Sequence, residues 1–451
     1  MWQFFFFFVI LATKKLKPMK RRSFLKGAVA AGAASLVPAS LAGLASSSCT
    51  SGKTTEPAWD FNRVIDRSGT WSIKQRRAEG DKLAMWIADM DFKTDPVVEK
   101  ALRERLDTVM GYTYIPDEFY DSIVGWEKSQ HGFEVEKEWV GYAPGVITSI
   151  CQAYQCFSEP GDKVIVQPPV YDPFKNYAER LGRKVVFNPL LWREDHYEMD
   201  LDGLERLFDS RTKILVLCNP HNPVGIIWDR DTLVRLAEMC ERHGVIVISD
   251  EIHADLSLYG RHHHPFCSVS PAAARIGICF GAPTKSFNLA GLSGTAYSII
   301  PDKEKRERFN ETLHKQKLSE ASVMSIAATI AAYTHEPHWL NEVKKYLETN
   351  IEALEDSIAS SSITRMIRVI RPQASFLVWL DCRALGLTQE ELMKLFNDDA
   401  GVVVNNGASY GSGGEGFVRL NIGCPHLVVE EAFLRLEHAC ARLIHPGVMI
   451  E

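Results

Sequence analysis

GAPTKSFNLAGLSG, Gly281 to Gly294, sets one lysine, Lys285, among small residues at the end of an apolar run. The preceding RIGICF (Arg275 to Phe280) reads as a buried strand, and the Gly, Ala, Pro and Thr after it stop the backbone at the strand's carboxyl end. Open α/β sheets bind their ligands at that edge. A partly desolvated amine there has a lowered pKa and is the group needed to form a Schiff base with an aldehyde. Taken alone, a lysine capping a loop is the better explanation, so partners elsewhere in the chain have to decide.

Upstream, KVIVQPP (Lys163 to Pro169), KILVLCNP (Lys213 to Pro220) and VIVISDE (Val245 to Glu251) are further apolar runs bounded by turn residues, and TAYSII (Thr295 to Ile300) follows the lysine. Helical patterns lie between them, as in DTLVRLAEMCERHG (Asp231 to Gly244), where Leu233, Leu236, Ala237 and Cys240 share one face. Strand, helix and strand in series predict an α/β domain with a mostly parallel sheet covered on both faces. Its expected span is 95–334. From 335 to 451 the pattern changes to a long helix (Pro337 towards Ser360), strand-like SFLVWLD, GVVV and FVRLNIG, and a closing helix, which predicts a smaller α+β domain.

Three other strand ends supply partners for Lys285. Asp250 closes VIVIS, where an unpaired carboxylate is costly to bury and must meet a cation. The protonated pyridine nitrogen of pyridoxal phosphate is such a cation, and an aspartate holding that proton lets the ring accept electrons. A helix cap or a salt bridge is the plainer alternative. His253, three residues on, would reach the same side and could bond the cofactor's phenolic oxygen. CNPHNPVG (Cys218 to Gly225) doubles an Asn-Pro turn and projects Asn222 as a donor. GYAPGVITSI (Gly141 to Ile150) is a glycine turn opening a helix, so the amides of Gly145, Val146 and Ile147 suit a phosphate.

Together with MWIADMDF (Met85 to Phe92), GYTY (Gly111 to Tyr114), PPVYDPF (Pro168 to Phe174), SDEIHADL and APTKSFNLAGL, these motifs resemble fold-type I pyridoxal-phosphate enzymes of the class I/II aminotransferase superfamily. The likeness is to the MalY/PatB branch of cystathionine β-lyases and cystalysins, and it runs from about Phe61 to the end. It implies a mostly parallel, seven-stranded large domain and a small α+β domain to which an arm, 59–94, contributes. It implies Lys285 as the Schiff-base lysine, Asp250 as the pyridinium partner, and Asn222 with His253 at the phenolic oxygen. Tyr171 would stack on the ring. Arg419, helped by Asn222, would clamp the substrate carboxylate with a bidentate fork. Tyr112 would reach the phosphate of a neighbouring subunit, so a homodimer is expected. Many transaminases carry an arginine eight residues after the lysine; here that position is Ser293, which favours the lyase branch and leaves the phosphate to the 145–147 amides, Thr284 and Tyr112.

The implied reaction is β-elimination. Lys285 removes the α-proton, the thiolate leaves, and pyruvate and ammonia follow from L-cystathionine or a related cysteine S-conjugate. An aminotransferase is the first alternative, and a cofactor-binding regulatory protein with little turnover the second.

The remaining sequence sets the address and the bounds. Met19-Lys-Arg-Arg-Ser-Phe-Leu-Lys26, followed by an Ala-rich apolar run to Ala45, resembles a twin-arginine export signal and predicts a periplasmic protein. Residues 1–48 are therefore expected to be export signal and upstream sequence, with the true start at Met19, and 49–58 a linker. Cys49 raises lipid anchoring, but Ser46 stands where a lipoprotein signal has an aliphatic residue. No permanent membrane span is expected once the signal is removed. The 451 residues, 46% hydrophobic and 24% charged, suit two globular domains. A net charge of −6, with no basic block past the leader, argues against nucleic acid. The ten cysteines form no CxxC pair and read as mostly free and buried, and no metal site is expected.

Overall fold

The computed structural model describes residues 59–444, so the leader, the whole linker with Cys49 and residues 445–451 lie outside the described residues. Seven strands form the main sheet: β1 (Val140–Ala143), β2 (Lys163–Val166), β3 (Lys184–Phe187), β4 (Thr212–Cys218), β5 (Ile246–Asp250), β6 (Gly277–Gly281) and β7 (Ala296–Ile299). Their spatial order is β1-β7-β6-β5-β4-β2-β3. Only β7 runs against its neighbours. The carboxyl ends of β1, β2, β4, β5 and β6 therefore share one edge, and the register aligns Cys218, Asp250 and Phe280 in a row across it.

The unbroken apolar runs have a physical reason. Along β4, Ile214 and Val216 face one core cluster while Leu215 and Leu217 face the other, and Val164, Ile165 and Val166 alternate likewise. A parallel sheet covered on both faces buries every position, and each such side chain stabilises the fold by about 1.5–3 kcal/mol. The predicted helix is Arg230–Arg242, started by Asp229, whose carboxylate accepts the Thr232 amide at 2.8 Å. RIGICF is corrected in part. Arg275 and Ile276 end a helix, Pro271–Ile276, and the strand begins at Gly277.

A second sheet of four antiparallel strands follows: β8 (Arg368–Ile370), β9 (Leu377–Asp381), β10 (Asn405–Asn406) and β11 (Phe417–Asn421), in the order β8-β9-β11-β10. The early chain reaches the same part of the sequence through a separate two-stranded sheet, in which Leu83–Ala84 pairs in parallel with Val402–Val403. Residues 85–92 then cross to the main sheet. Asn421 donates to the carbonyls of Ile87 and Asp89, and Asn288, just past Lys285, donates to those of Met90 and Phe92. This segment is a wall between the two sheets. Among the described residues no helix is long and apolar enough to cross a membrane. The nine described cysteines are unbridged, and eight are buried.

Candidate active site

The shared strand edge and β11 enclose a cavity of about 670 Å³. Lys285 enters it from a short helix, Pro283–Ser286, that follows β6 with proline at its first position, where a missing amide hydrogen costs nothing. The helix is held from behind. Asp255 accepts the Ser286 hydroxyl at 2.8 Å and the Trp126 indole at 2.8 Å, and its Oδ1 lies 3.0 Å from His131 Nε2. In front, Lys285 Nζ donates to the Ala88 carbonyl at 2.5 Å. Lys285 is partly accessible, from the cavity that it lines. Burial, then the neighbouring charge of Arg419, bring its amine down to about 8.

Asp250 is 4% exposed, and its carboxylate accepts the Ile252 amide at 3.1 Å. Burial pushes it up to about 7. His253, also buried, is held down to about 3 by burial and then by the charges of Lys285 and Arg419, so its imidazole is neutral and its Nδ1 has no partner. Tyr171 donates its backbone amide to the Asn222 carbonyl at 3.1 Å, and burial raises its phenol to about 12. Opposite the lysine, Gly145 at φ +155° caps the helix Val146–Phe157 without a side chain. The amides of Val146 and Ile147 then have no intrahelical acceptor. Both residues line the cavity, as does Thr284, whose buried hydroxyl has no partner.

Arg419 comes from β11, paired with Trp379 and Asn405. It is 4% exposed. Nη1 donates to Asn222 Oδ1 at 2.9 Å and Nη2 to the Trp86 carbonyl at 3.0 Å, while Nε has no partner. Among the described residues no carboxylate lies within ion-pair distance of it. A buried guanidinium without an acid costs several kcal/mol and is a site waiting for an anion.

The structure thus gathers Lys285, Asp250, Asn222, His253, Tyr171 and Arg419 around one cavity, which Val146, Ile147 and Thr284 also line, with Gly145 capping the helix of Val146 and Ile147. Tyr112 is not among them. It is fully exposed in an irregular stretch between the helices Pro96–Leu106 and Asp117–His131. Sequence reasoning missed Trp86 and Ala88, which act through main-chain carbonyls, and Tyr410, whose ring lies 5.3 Å under the Arg419 guanidinium. It missed Asp255 as well, although SDEIHADL holds a second aspartate five residues after the first. Among the described residues no cluster suited to a metal ion occurs.

Known proteins resemble this chain over most of its length. Cystathionine β-lyase PatB of Bacillus subtilis is 41% identical over 387 residues, which cover 84% of this chain and 99% of that protein. Protein MalY of Escherichia coli is 35% identical over 84% of the chain and 98% of its own length. The crystal structure of cystalysin from Treponema denticola, which contains a pyridoxal 5′-phosphate cofactor, superposes with a TM-score of 0.82 at 30% identity, covering 85% of this chain and 99% of that one. A twin-arginine translocation signal profile matches residues 18–38, which supports export by that pathway. The profile of aminotransferase class I and II matches residues 81–436, and the chain belongs to that family.

Proposed function

We propose that this protein is a pyridoxal-phosphate-dependent carbon-sulfur β-lyase that cleaves L-cystathionine or a related cysteine S-conjugate to a thiol, pyruvate and ammonia. The observation that carries this reading is the trio around the cavity: an amine lowered to about 8, a carboxyl raised to about 7, and a buried arginine without an acid. The residues fit the cofactor. Thr284 Oγ1 and His253 Nδ1 are buried polar atoms without partners, and a glycine-capped helix start lines the same space.

When bound, pyridoxal phosphate supplies an aldehyde for the amine and a ring that takes up electrons from the substrate carbon. Lys285 would be its covalent anchor and, as a free amine, the base for the substrate α-proton. A pKa near 8 leaves a useful neutral fraction at physiological pH while keeping the conjugate acid able to return a proton. Asp250 holds the ring-nitrogen proton; a cation opposite it offsets the burial that raises its pKa. Asn222 and His253 serve the phenolic oxygen, and Tyr171 offers its ring face. The phosphate falls to the amides of Gly145, Val146 and Ile147, to Thr284 and to Tyr112 of a second copy. Arg419, with Asn222, would fix the α-carboxylate and so orient the substrate for loss of its α-proton.

The same reading makes the protein a homodimer with its site at the boundary. Leu106, Val109, Met110, Tyr112 and Tyr114 are large apolar or aromatic residues exposed within nine positions, more than a lone surface tolerates. It also divides the folded body into a large domain, 95–334, and a small one, 335–451, that the arm 59–94 joins through Leu83–Ala84. The signal at 18–38 favours the periplasm.

The deciding assay follows thiol and pyruvate from L-cystathionine with and without an added keto acid. Equimolar thiol and pyruvate without keto acid are expected. Turnover that occurs only as amino transfer to the keto acid would make the protein an aminotransferase.

A further inference from the structure

Two charged residues that line the cavity have no part in the chemistry above: Arg77 and Asp172. The Arg77 guanidinium lies over the Trp86 ring, 4.1 Å from its centroid. Among the described residues no carboxylate is within ion-pair distance of it. Asp89 and Asp91 both pair with Arg67 and with Lys74. Asp172 is half-buried beside Tyr171. Its Oδ2 accepts the Asn176 side-chain amide at 3.0 Å, and among the described residues no cation pairs with it.

Trp86 fixes where the second guanidinium stands. Its indole nitrogen donates to the Lys74 carbonyl at 2.9 Å, which locks the ring. Its own carbonyl accepts Arg419 Nη2. One residue therefore meets Arg419 through its main chain and Arg77 through its ring face. A substrate whose α-carboxylate meets Arg419 extends its β-substituent into a cavity that still offers one positive and one negative charge. A neutral alkyl group meets neither. A substituent that ends in an amino acid, carboxylate and ammonium on one carbon, matches both.

We infer that Arg77, with Asp172 as its opposite, is the specificity-determining residue that selects thioethers joining two amino acids over neutral S-alkyl cysteines. This rests on the lyase reading. Arg77 is solvent-exposed, so its contribution is screened by salt and sits at the low end for a charged contact.

The test measures kcat/KM for pyruvate release from L-cystathionine and from S-ethyl-L-cysteine in the parent, Arg77→Ala, Arg77→Lys and Asp172→Asn. In Arg77→Ala the ratio of the two values is expected to fall about three- to fivefold, mainly through KM for cystathionine. The lysine variant should recover part of it, and Asp172→Asn should lower the ratio by a smaller factor. Raising the salt to about 0.5 M should shrink the parent's preference. A ratio unchanged within twofold in Arg77→Ala, with pyruvate still produced, would overturn this assignment and leave the lyase reading standing. Absence of pyruvate from either substrate in the parent would overturn both.

Discussion

Replacing Arg419 by methionine separates a substrate-binding arginine from a structural one. In the protein as it stands, this guanidinium is 4% exposed, makes two hydrogen bonds of 2.9 and 3.0 Å to neutral oxygens, leaves Nε without a partner, and meets no carboxylate among the described residues. A substrate carboxylate held by its fork gains two charge-assisted hydrogen bonds of about 1.5–3 kcal/mol each. Their loss, about 3–6 kcal/mol, lowers kcat/KM by about 10²- to 10⁴-fold, at 1.4 kcal/mol for each factor of ten. Stability should behave differently. Breaking a buried ion pair costs about 3–5 kcal/mol because a charge is left alone, but here the charge is already alone and its removal relieves desolvation. Asn222 Oδ1 and the Trp86 carbonyl face a cavity that water can enter, so the net stability loss should stay under about 1 kcal/mol. Arg419→Lys keeps the charge without the fork and should recover no more than about tenfold in kcat/KM. The assays are steady-state pyruvate release and the urea midpoint. A loss of several kcal/mol in stability, with activity falling only in proportion to the folded fraction, would refute the reasoning.

The cofactor-free Asp250→Asn variant should be more stable than the cofactor-free parent at pH 8, by about 2–4 kcal/mol, and equal to it near pH 3.5. Burial raises the folded-state pKa from 3.8 to about 7, so the penalty on the charged form is full above 7 and vanishes below 3.8; urea melts across that window check the sign. Sedimentation should show a dimer, and Tyr112→Ala should loosen cofactor retention severalfold although Tyr112 is fully exposed on its own chain; an active monomer at assay concentration rules out shared sites. Arg21→Lys with Arg22→Lys should hold active protein in the cytoplasm while the parent appears outside the inner membrane, and cell fractionation with equal periplasmic activity in both would mean that the pair is only a charged start.

The strand ends were legible because strands buried on both faces are continuous apolar runs, and a polar residue at the end of such a run stands out. Asp250 after VIVIS and Lys285 after ICFGAPT are of this kind. Shorter or wetter strands left less of a signal: of β1, VGYA with a glycine inside, only the end at GYAPG stands out, and β3 reads KVVF, half-exposed with both ends in water. At RIGICF the boundary is marked upstream, where Ser270 caps and Pro271 opens the helix that claims Arg275 and Ile276. Arg419 could be assigned only through the family resemblance. FVRLN reads as an ordinary strand, and what turns its arginine on the cavity is pairing with β9 and β10 together with Asn222, 197 residues away. The wall at Trp86 to Ala88 works through carbonyl oxygens, which leave no mark in side-chain chemistry.

The central claim is that Lys285, at the end of β6, is the covalent anchor of pyridoxal phosphate. Borohydride reduction of the holoenzyme fixes the cofactor to whichever lysine carries it, and peptide mapping then reads the position. The label should fall on Lys285 alone, and Lys285→Ala should take none while still binding the cofactor weakly. A label on any other lysine contradicts the account.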